Sequence, residues 1–340
     1  MFAGSLLMLV FGPSLVVPGI CDAWAGEPCF GLALAVPLFA AHVAFLWKFS
    51  GMTSLWRRMR RFGPFARSFS VAVLSVLSAA GVWFELPCIE RYGVPVCGGK
   101  MQGGSSIRFA VVTDLHSCLY GRNQQSLVDA VRRVRPDAVL LSGDIADDRM
   151  DDANAKTAVR RLAEEFVCLY VTGNHEYWSE RVDEIKAWMR EAGAIVLDGE
   201  VRTLEIKGTV IDFCGVDDPT YIMDYWLVQL AEVDAASDPA RLRILLSHRP
   251  EYAEIYAQCG FDLVVSGHLH GGQWRLPWLD VGICGPASCD RRFFPRYSSG
   301  VYALNERTWL AVSRGLARES TPLPRFFNHP ELMVVDLNPQ

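Results

Sequence analysis

The stretch Leu263-Val264-Val265-Ser266-Gly267-His268-Leu269-His270 joins a short apolar run directly to a glycine and two histidines. In open α/β sheets the functional crevice lies outside the carboxyl ends of the strands, so segments that are distant in sequence can converge there. Four similar blocks precede this one, each just after a β-rich apolar run: Asp114-Leu115-His116, Gly143-Asp144, Gly173-Asn174-His175-Glu176 and Ser247-His248. The order predicts an α/β fold with one composite site at its strand ends.

Short apolar runs alternate with helical patterns from Ile107 onward. Runs rich in Val, Leu and Ile predict strands at 107–113, 138–142, 166–172, 209–214, 242–247, 263–266 and 333–337. Apolar residues spaced at three and four predict helices at 124–134, 155–165 and 181–191. Residues 86–106 contain two glycine pairs and predict a linker between an N-terminal region, 1–85, and a domain over 107–340.

The residue types in the five blocks are those that hold divalent ions for hydrolysis. Two such ions about 3.5–4 Å apart suit attack on a phosphoester. Asp114 and His116 are two residues apart, and on an extended segment they point the same way. A single block is a weak signal because Gly-Asp is common in turns, but five blocks in order at strand ends predict a two-metal site. His42 and His329 lie outside the pattern.

This series of Asp-x-His, Gly-Asp, Gly-Asn-His-Glu, His and Gly-His-x-His closely resembles the signature of the calcineurin-like metallophosphoesterase superfamily, over about Ile107 to Leu337. Further segments are similar to a bacterial branch that is often membrane-tethered or exported: 215–219, 271–273, 312–316 and 325–331. The resemblance implies a four-layer α/β/β/α sandwich and a metal-dependent phosphoric ester or pyrophosphate hydrolase.

The resemblance also assigns roles to residues. It implies that Asp114, His116 and His270 hold one ion, that Asn174, His248 and His268 hold the other, and that Asp144 bridges both. The donor set suits two divalent ions of Mn, Fe or Zn without choosing among them. His175 lies outside the ligand set and is predicted to protonate the leaving oxygen, although it could instead only order its loop. Glu176 is also outside the ligand set.

Two clusters of residues near the last block, one of arginines and one of aromatic side chains, are candidates for substrate contacts. Arg275, Arg291, Arg292 and Arg296 can hold a second phosphate through forked hydrogen bonds or form a solvated basic face. Interleaved aromatic residues suit contact with a lipid headgroup at a membrane interface, or simply cover the sheet: Trp274, Trp278, Phe293, Phe294 and Tyr297.

The N-terminal region carries three apolar runs, Phe2 to Ile20, Phe30 to Trp47 and Phe69 to Phe84. Spanning a bilayer takes about 17–25 such residues, so they predict two to three transmembrane helices. The alternatives are a signal peptide for the first run, supported by Ala23-Trp24-Ala25, and buried core helices for the others. The six basic residues of 48–68, with no acid among them, predict that this loop is cytoplasmic and that the domain lies on the outer face of the inner membrane.

Charge and cysteines bear on partners and compartment. From residue 100 onward the chain has 26 lysines and arginines against 34 acidic residues, a net charge of −8 that disfavours nucleic acid as a partner. Three cysteine pairs, Cys21 with Cys29, Cys88 with Cys97 and Cys284 with Cys289, fall in segments that this topology places outside. They are either disulfides of an oxidising compartment or ordinary free thiols.

The sequence thus favours a membrane-anchored two-metal phosphoesterase that acts on a phosphoester or pyrophosphoester of a lipid or cell-envelope intermediate. One alternative is a cytosol-facing UDP-diacylglucosamine pyrophosphatase, a substrate that conflicts with the predicted topology. Two others are a non-catalytic membrane scaffold on the same fold and a membrane protein whose domain is a sensor. A scaffold would typically lose ligands, and all seven are present.

Overall fold

The computed structural model describes residues 87–96, 99–102, 104–220, 222–276, 281–283, 293–318 and 325–340. The three apolar runs of the N-terminal region lie outside these ranges, as do Arg291, Arg292 and Trp278. Of the cysteines in the three predicted pairs, only Cys88 is described, and it carries a buried free thiol. Among the described residues, none of the helices has the length and apolar character needed to cross a membrane.

The chain alternates strands and helices, as the sequence predicts. In chain order the elements are β1 (Cys88–Val96), β2 (Ile107–Val112), α1 (Gln125–Val134), β3 (Ala138–Ser142), α2 (Ala153–Ala163), β4 (Cys168–Val171), α3 (Asn174–Trp178), α4 (Val182–Glu191), β5 (Ile195–Val196), β6 (Val201–Ile206), β7 (Thr209–Gly215), α5 (Met223–Ala236), β8 (Leu242–Leu246), α6 (Ala253–Tyr256), β9 (Leu263–Ser266), β10 (Arg275–Leu276), β11 (Val281–Gly282), β12 (Gly300–Ala303), β13 (Trp309–Val312) and β14 (Glu331–Pro339).

Two six-stranded sheets form the frame of the fold. The first has the order β1-β14-β2-β3-β4-β5, in which β2 to β5 are parallel and β14 is antiparallel to β2. The second has the order β12-β13-β9-β8-β7-β6, in which β7, β8, β9 and β13 are parallel and both edge strands are antiparallel to their neighbours. The strands β2, β3 and β4 are therefore adjacent in one sheet, and β8 and β9 are adjacent in the other.

The segment predicted to be a linker contributes a strand. Residues 88–96 form β1, which pairs in parallel with β14 along its whole length, from Cys88 opposite Glu331 to Val96 opposite Pro339. Its sequence hides the strand because Gly93 and Pro95 interrupt the apolar alternation. Pro95 is tolerated because β1 is an edge strand with a neighbour on one side only.

Three apolar clusters account for the layers. The largest side-chain cluster between the sheets combines residues of β2, β3 and β4 with residues of β7, β8 and β9. A second cluster packs α1, α2 and α4 on the outer face of the first sheet, and a third packs α5 and α6 on the outer face of the second. This arrangement agrees with the predicted α/β/β/α order, and it leaves the carboxyl ends of both sheets at one edge.

Truncation of the inter-sheet core tests this packing. Phe213 is fully buried and its ring meets Phe109 edge to face at 5.8 Å. We expect Phe213→Ala to lower the free energy of unfolding by about 3–5 kcal/mol, because it removes a buried ring and leaves a cavity. The measurement is urea denaturation of the purified chain followed by tryptophan fluorescence. Phe293→Ala is the control: its side chain is 76% exposed, so its unfolding should match that of the wild type.

Candidate metal centre

The five sequence blocks follow β2, β3, β4, β8 and β9. Contacts across the sheets bring these strand ends together: the Ser142 hydroxyl donates to the carbonyl of Val265 at 3.0 Å, and His248 Nδ1 lies 2.8 Å from the carbonyl of Ser142. All seven residues predicted as ligands are buried. The site therefore lies where the carboxyl ends of both sheets meet.

One group of side chains gathers around Asp114. Its carboxylate oxygen Oδ1 lies 3.3 Å from His270 Nε2, and His270 Nε2 lies 3.2 Å from His116 Nε2. His116 Nε2 is in turn 3.7 Å from Asp144 Oδ2. These four residues can each offer one ligand atom within 4.8 Å of the others, so they can hold a common ion.

A second group shares Asp144 with the first. Asp144 Oδ2 lies 3.0 Å from His248 Nε2, and Asp144, His248 and His268 can also offer ligand atoms within 4.8 Å of one another. Asp144 thus belongs to both groups, and the bridging role that the resemblance implies for it stays a prediction.

Two features test whether these residues suit metal ions. Asn174 is fully buried, and neither atom of its amide has a hydrogen-bond partner among the described residues. A buried amide without partners costs free energy, so its oxygen is suited to a ligand. Because a carbonyl only accepts, His248 must carry its proton on Nδ1, which leaves Nε2 with the lone pair that an ion needs. The residues present fit divalent metal ions.

The charges of the site compensate one another. Burial opposes the charged form of Asp144, but His248 and His175 prevail and the pKa of Asp144 is well below its usual value. Burial likewise lowers the pKa of His248, but without an ion Asp144 and other carboxylates outweigh it and raise that pKa to about 10, so an ion that binds Nε2 has to displace a proton from it. Large, opposite pKa changes in a buried carboxylate and a buried imidazole are typical of functional sites.

Glu176 has a role that the sequence did not reveal. Its carboxylate is fully buried and accepts hydrogen bonds at 2.7–3.0 Å from the backbone N–H groups of Asp144, Ile145, Ala146 and Gly173. Burial and the charge of Asp144 raise the pKa of Glu176 to about 7, whereas the N–H donors favour its ionised form. Glu176 therefore joins the loop after β3 to the loop after β4.

Two positions in the site require glycine because neighbouring side chains lie close to the backbone there. Gly143 has a φ of 86°, and a Cβ there would lie 2.5 Å from His248 Nδ1. Gly173 has an extended backbone, so conformation alone does not require glycine there. A Cβ at Gly173 would instead overlap Asp144 Oδ1. Both glycines are needed because ligand side chains occupy the space beside them.

The predicted extended geometry of Asp114 and His116 is wrong. Both have left-handed backbone conformations, with φ values of 48° and 47°. Backbone hydrogen bonds stabilise this turn, because the N–H groups of Asp114 and His116 donate to Gly143 and Asp144 at 3.0 and 2.9 Å. Asp and His tolerate the left-handed region better than most residues. The side chains reach one cluster through this turn rather than through strand alternation.

His175 lies at the rim of the site. Its Nδ1 is 2.6 Å from Asp148 Oδ1, its backbone N–H donates to Asp144 Oδ1 at 2.8 Å, and its side chain is 22% exposed. Burial, and then the charge of His116, lower the pKa of His175, whereas Asp144, Asp147 and Asp148 oppose that change. With Nδ1 on Asp148, the other ring nitrogen, Nε2, remains to exchange a proton with a substrate.

Asp147 and Asp148 were missed by the sequence reasoning, although they directly follow the Gly143-Asp144 block. Asp147 Oδ2 lies 2.9 Å from His116 Nδ1, which fixes the ring so that Nε2 faces the cluster. Asp147, His116 and His175 could also hold an ion by distance alone. Since Asp147 already accepts from His116, we assign it the role of orienting that ligand.

The structure separates the predicted substrate arginines. Arg275 is buried and its Nη1 donates to the carbonyl of Gly271 at 2.8 Å, next to His270. Arg296 is 74% exposed, lies 3.6 Å from Glu254 and stacks on Tyr297. A substrate role for all four arginines stays a prediction. Of the aromatic residues, Phe293 and Phe294 are exposed, so they do not serve to cover the sheet.

The family model described as calcineurin-like phosphoesterase matches residues 107–272. The chain is 28% identical to the protein YpbG of Bacillus subtilis strain 168, over 70% of this chain and 83% of that protein. It is 25% identical to a Bos taurus protein named transmembrane protein with metallophosphoesterase domain, over 88% of this chain and 72% of that protein. The solved structure of phosphopantetheinyl hydrolase from Mycobacterium tuberculosis aligns with a TM-score of 0.40 at 12% identity, over 63% of this chain and 91% of that one.

The metal content of two variants distinguishes a residue that binds metal from a residue that only lies beside the metal site. We expect Asp144→Asn to lose most of both bound ions, because one change weakens both groups of ligands. His175→Ala should keep wild-type metal content, since His175 lies outside both groups. Elemental analysis of purified, metal-loaded protein measures this directly. Wild-type metal content in Asp144→Asn would show that Asp144 does not bridge the groups.

Proposed function

We propose that this chain hydrolyses a phospho- or pyrophosphoester of a lipid or another apolar cell-envelope compound. The family model, the relatives and the candidate metal ligands support a metal-dependent phosphoester hydrolase of the calcineurin-like metallophosphoesterase superfamily. The observation that carries the reaction is the convergence of the predicted ligands at the strand ends, with Asp144 common to both groups. The substrate class is supported by a cavity beside those ligands and by the apolar N-terminal sequence.

The residues of the site would have different roles in hydrolysis. Asp114, His116 and His270 would hold one divalent ion and Asn174, His248 and His268 the other, with Asp144 between them. Bound there, divalent ions supply hydroxide at neutral pH and neutralise charge on phosphoryl oxygens. Asp147 and the carbonyl of Ser142 keep the rings of His116 and His248 turned so that Nε2 faces inward.

His175 is placed to assist the leaving group. Asp148 accepts the proton on Nδ1, so Nε2 can give a proton to the departing oxygen only from the imidazolium form, which carries a proton on both nitrogens. Its partial exposure lets substrate reach it, whereas the metal ligands behind it are buried. A positioned general acid is worth about 10²–10⁴ in rate, mostly for substrates whose leaving group is a poor one.

A cavity of about 490 Å³ supports an apolar substrate group. Its walls are mainly aromatic and aliphatic side chains: Tyr252, Ile255, Leu269, Phe293, Phe294, Pro295 and Tyr297, with Glu251, Glu254 and Arg296 as polar members. Leu269, which lies between the predicted ligands His268 and His270 in the sequence, connects the wall of this cavity to the loop that carries them. Arg296 is engaged with Glu254, and the wall is therefore better suited to an uncharged alkyl group than to a second phosphate.

Exposure of the apolar side chains of the cavity to water costs free energy unless another group covers them. Phe293 and Phe294 are 76% and 58% exposed, and an exposed aromatic patch beside a catalytic centre is typical of a binding surface. A bound alkyl chain would remove this surface from water. The membrane-anchored setting that the N-terminal apolar runs predict would bring such substrates within reach.

A substrate panel tests this proposal. We expect the purified full chain, loaded with Mn, Fe or Zn, to hydrolyse long-chain phospho- or pyrophosphoesters faster than DNA or RNA, because the domain is acidic and the cavity apolar. Phe293→Ala should lower kcat/KM about tenfold for long-chain esters, since burial of a Phe is worth about 1.5–3 kcal/mol, and leave a short aryl phosphodiester unchanged. Val167→Ala, at an exposed position away from the cavity, is the matched control. Efficient nuclease activity at physiological salt, or equal loss on short and long esters, would refute the substrate class.

The side of the membrane on which the domain lies also decides its substrates. The basic loop 48–68 predicts that residues 107–340 lie on the outer face if the run from Phe69 to Phe84 spans the membrane. We therefore expect a phosphatase reporter fused after Gln340 to be active and a fluorescent protein that folds only in the cytosol to stay dark. A bright cytosolic fusion would reverse the orientation. It would favour the alternative of a cytosol-facing UDP-diacylglucosamine pyrophosphatase.

A further inference from the structure

A network of charged side chains lies behind the histidine that opens the Gly-His-x-His block. Its members are Asp218, which follows β7, and Arg249 and Glu251, which follow β8. None of them is among the predicted ligands. Arg249 follows the predicted ligand His248 directly, and Glu251 lies within the short helical turn Pro250–Tyr252 before α6.

Arg249 is held on two sides. Its Nε and Nη2 donate to the two oxygens of Asp218 at 2.7 and 3.1 Å, which is the forked geometry that fixes a guanidinium in one plane. Its Nη1 donates to Glu251 Oε1 at 3.2 Å. The side chain of Asp218 is fully buried, and those of Arg249 and Glu251 are largely buried, so solvent screens these contacts little.

Two members of this network, Arg249 and Glu251, face His268. Arg249 Nη1 can donate to His268 Nε2 at 3.3 Å when that nitrogen carries no proton, and Glu251 Oε1 lies 3.5 Å from the same nitrogen. A guanidinium has no acceptor, so of these two groups only Glu251 can accept a proton from Nε2. A histidine that binds a metal through one ring nitrogen commonly donates the proton on the other to a carboxylate, which fixes the tautomer.

We infer that Glu251, held by Arg249 and Asp218, is a positioning residue that keeps the proton of His268 on Nε2 and so reserves Nδ1 for the metal ion shared with Asn174 and His248. Arg249 stabilises the carboxylate without taking its place, because a guanidinium cannot accept the proton on Nε2. The network supports one of the two ion sites. The other depends on Asp147, which does the equivalent for His116. This inference rests on the metal site of the proposed function but not on its substrate.

Metal titration of the full chain tests the inference. We expect Glu251→Ala to weaken binding of one of two Mn²⁺ ions about 10–100-fold, because loss of such an outer partner typically costs that much affinity, and to leave the other ion at wild-type affinity. Glu251→Gln keeps an oxygen that can accept from Nε2 and should recover most of the loss. The readouts are calorimetric titration with Mn²⁺ and the number of ions retained after gel filtration.

Glu254→Ala is the matched control, because Glu254 is three residues away and its side chain is 83% exposed. Two ions bound by Glu251→Ala at wild-type affinity would overturn the inference, and so would an equal loss in Glu254→Ala. Equal weakening of both ions would overturn it as well, since the network touches only His268. A wild-type chain that binds two ions but hydrolyses nothing would instead refute the proposed function and leave this inference standing.

Discussion

One buried carboxylate joins the two loops on which the metal centre depends. Glu176 accepts four backbone N–H groups, three from the loop after β3 and one from the loop after β4. Above the pKa of Glu176, about 7, these are hydrogen bonds to an ionised group, worth about 1.5–3 kcal/mol each. These contacts hold the loop that carries Asp144 against the loop that carries Asn174.

The C-terminal segment stabilises the opposite side of the centre. Asn328 donates to the carbonyls of His270 and Gln273 at 2.7 and 3.0 Å, and Arg325 donates to the carbonyls of Ala317 and Arg314, both at 2.8 Å. Burial lowers the pKa of Arg325 to about 10, and backbone carbonyls rather than a carboxylate satisfy the guanidinium. The segment thus connects the loop that carries His270 to β14, in the first sheet.

Much of the fold and the ligand set could be predicted from the sequence, because strand runs and ligand blocks are local signals. The parts that could not be predicted depend on contacts between distant residues. Three of the four N–H partners of Glu176 lie 30 to 32 residues earlier in the chain, and all four are backbone atoms, which leave no mark on side-chain identity. Strand β1 was hidden because pairing with β14 outweighs its own weak pattern.

Local geometry was the other source of error. The spacing of Asp114 and His116 suggested strand alternation, but hydrogen bonds to the Gly143-Asp144 loop impose a left-handed turn at both residues. The supporting carboxylates Asp147, Asp148 and Glu251 were not predicted, because an acidic residue near a ligand in sequence is common on solvated surfaces. Only the structure shows which nitrogen atoms they face.

The central claim is that strand ends from two sheets hold two ions around a common Asp144. Anomalous diffraction at the manganese edge, from crystals of the Mn²⁺-loaded chain, tests it most directly. The account predicts two peaks about 3.5–4 Å apart on either side of the Asp144 carboxylate, one beside His116 and His270 and the other beside His248 and His268. A single peak, or two peaks that do not share Asp144, would contradict it.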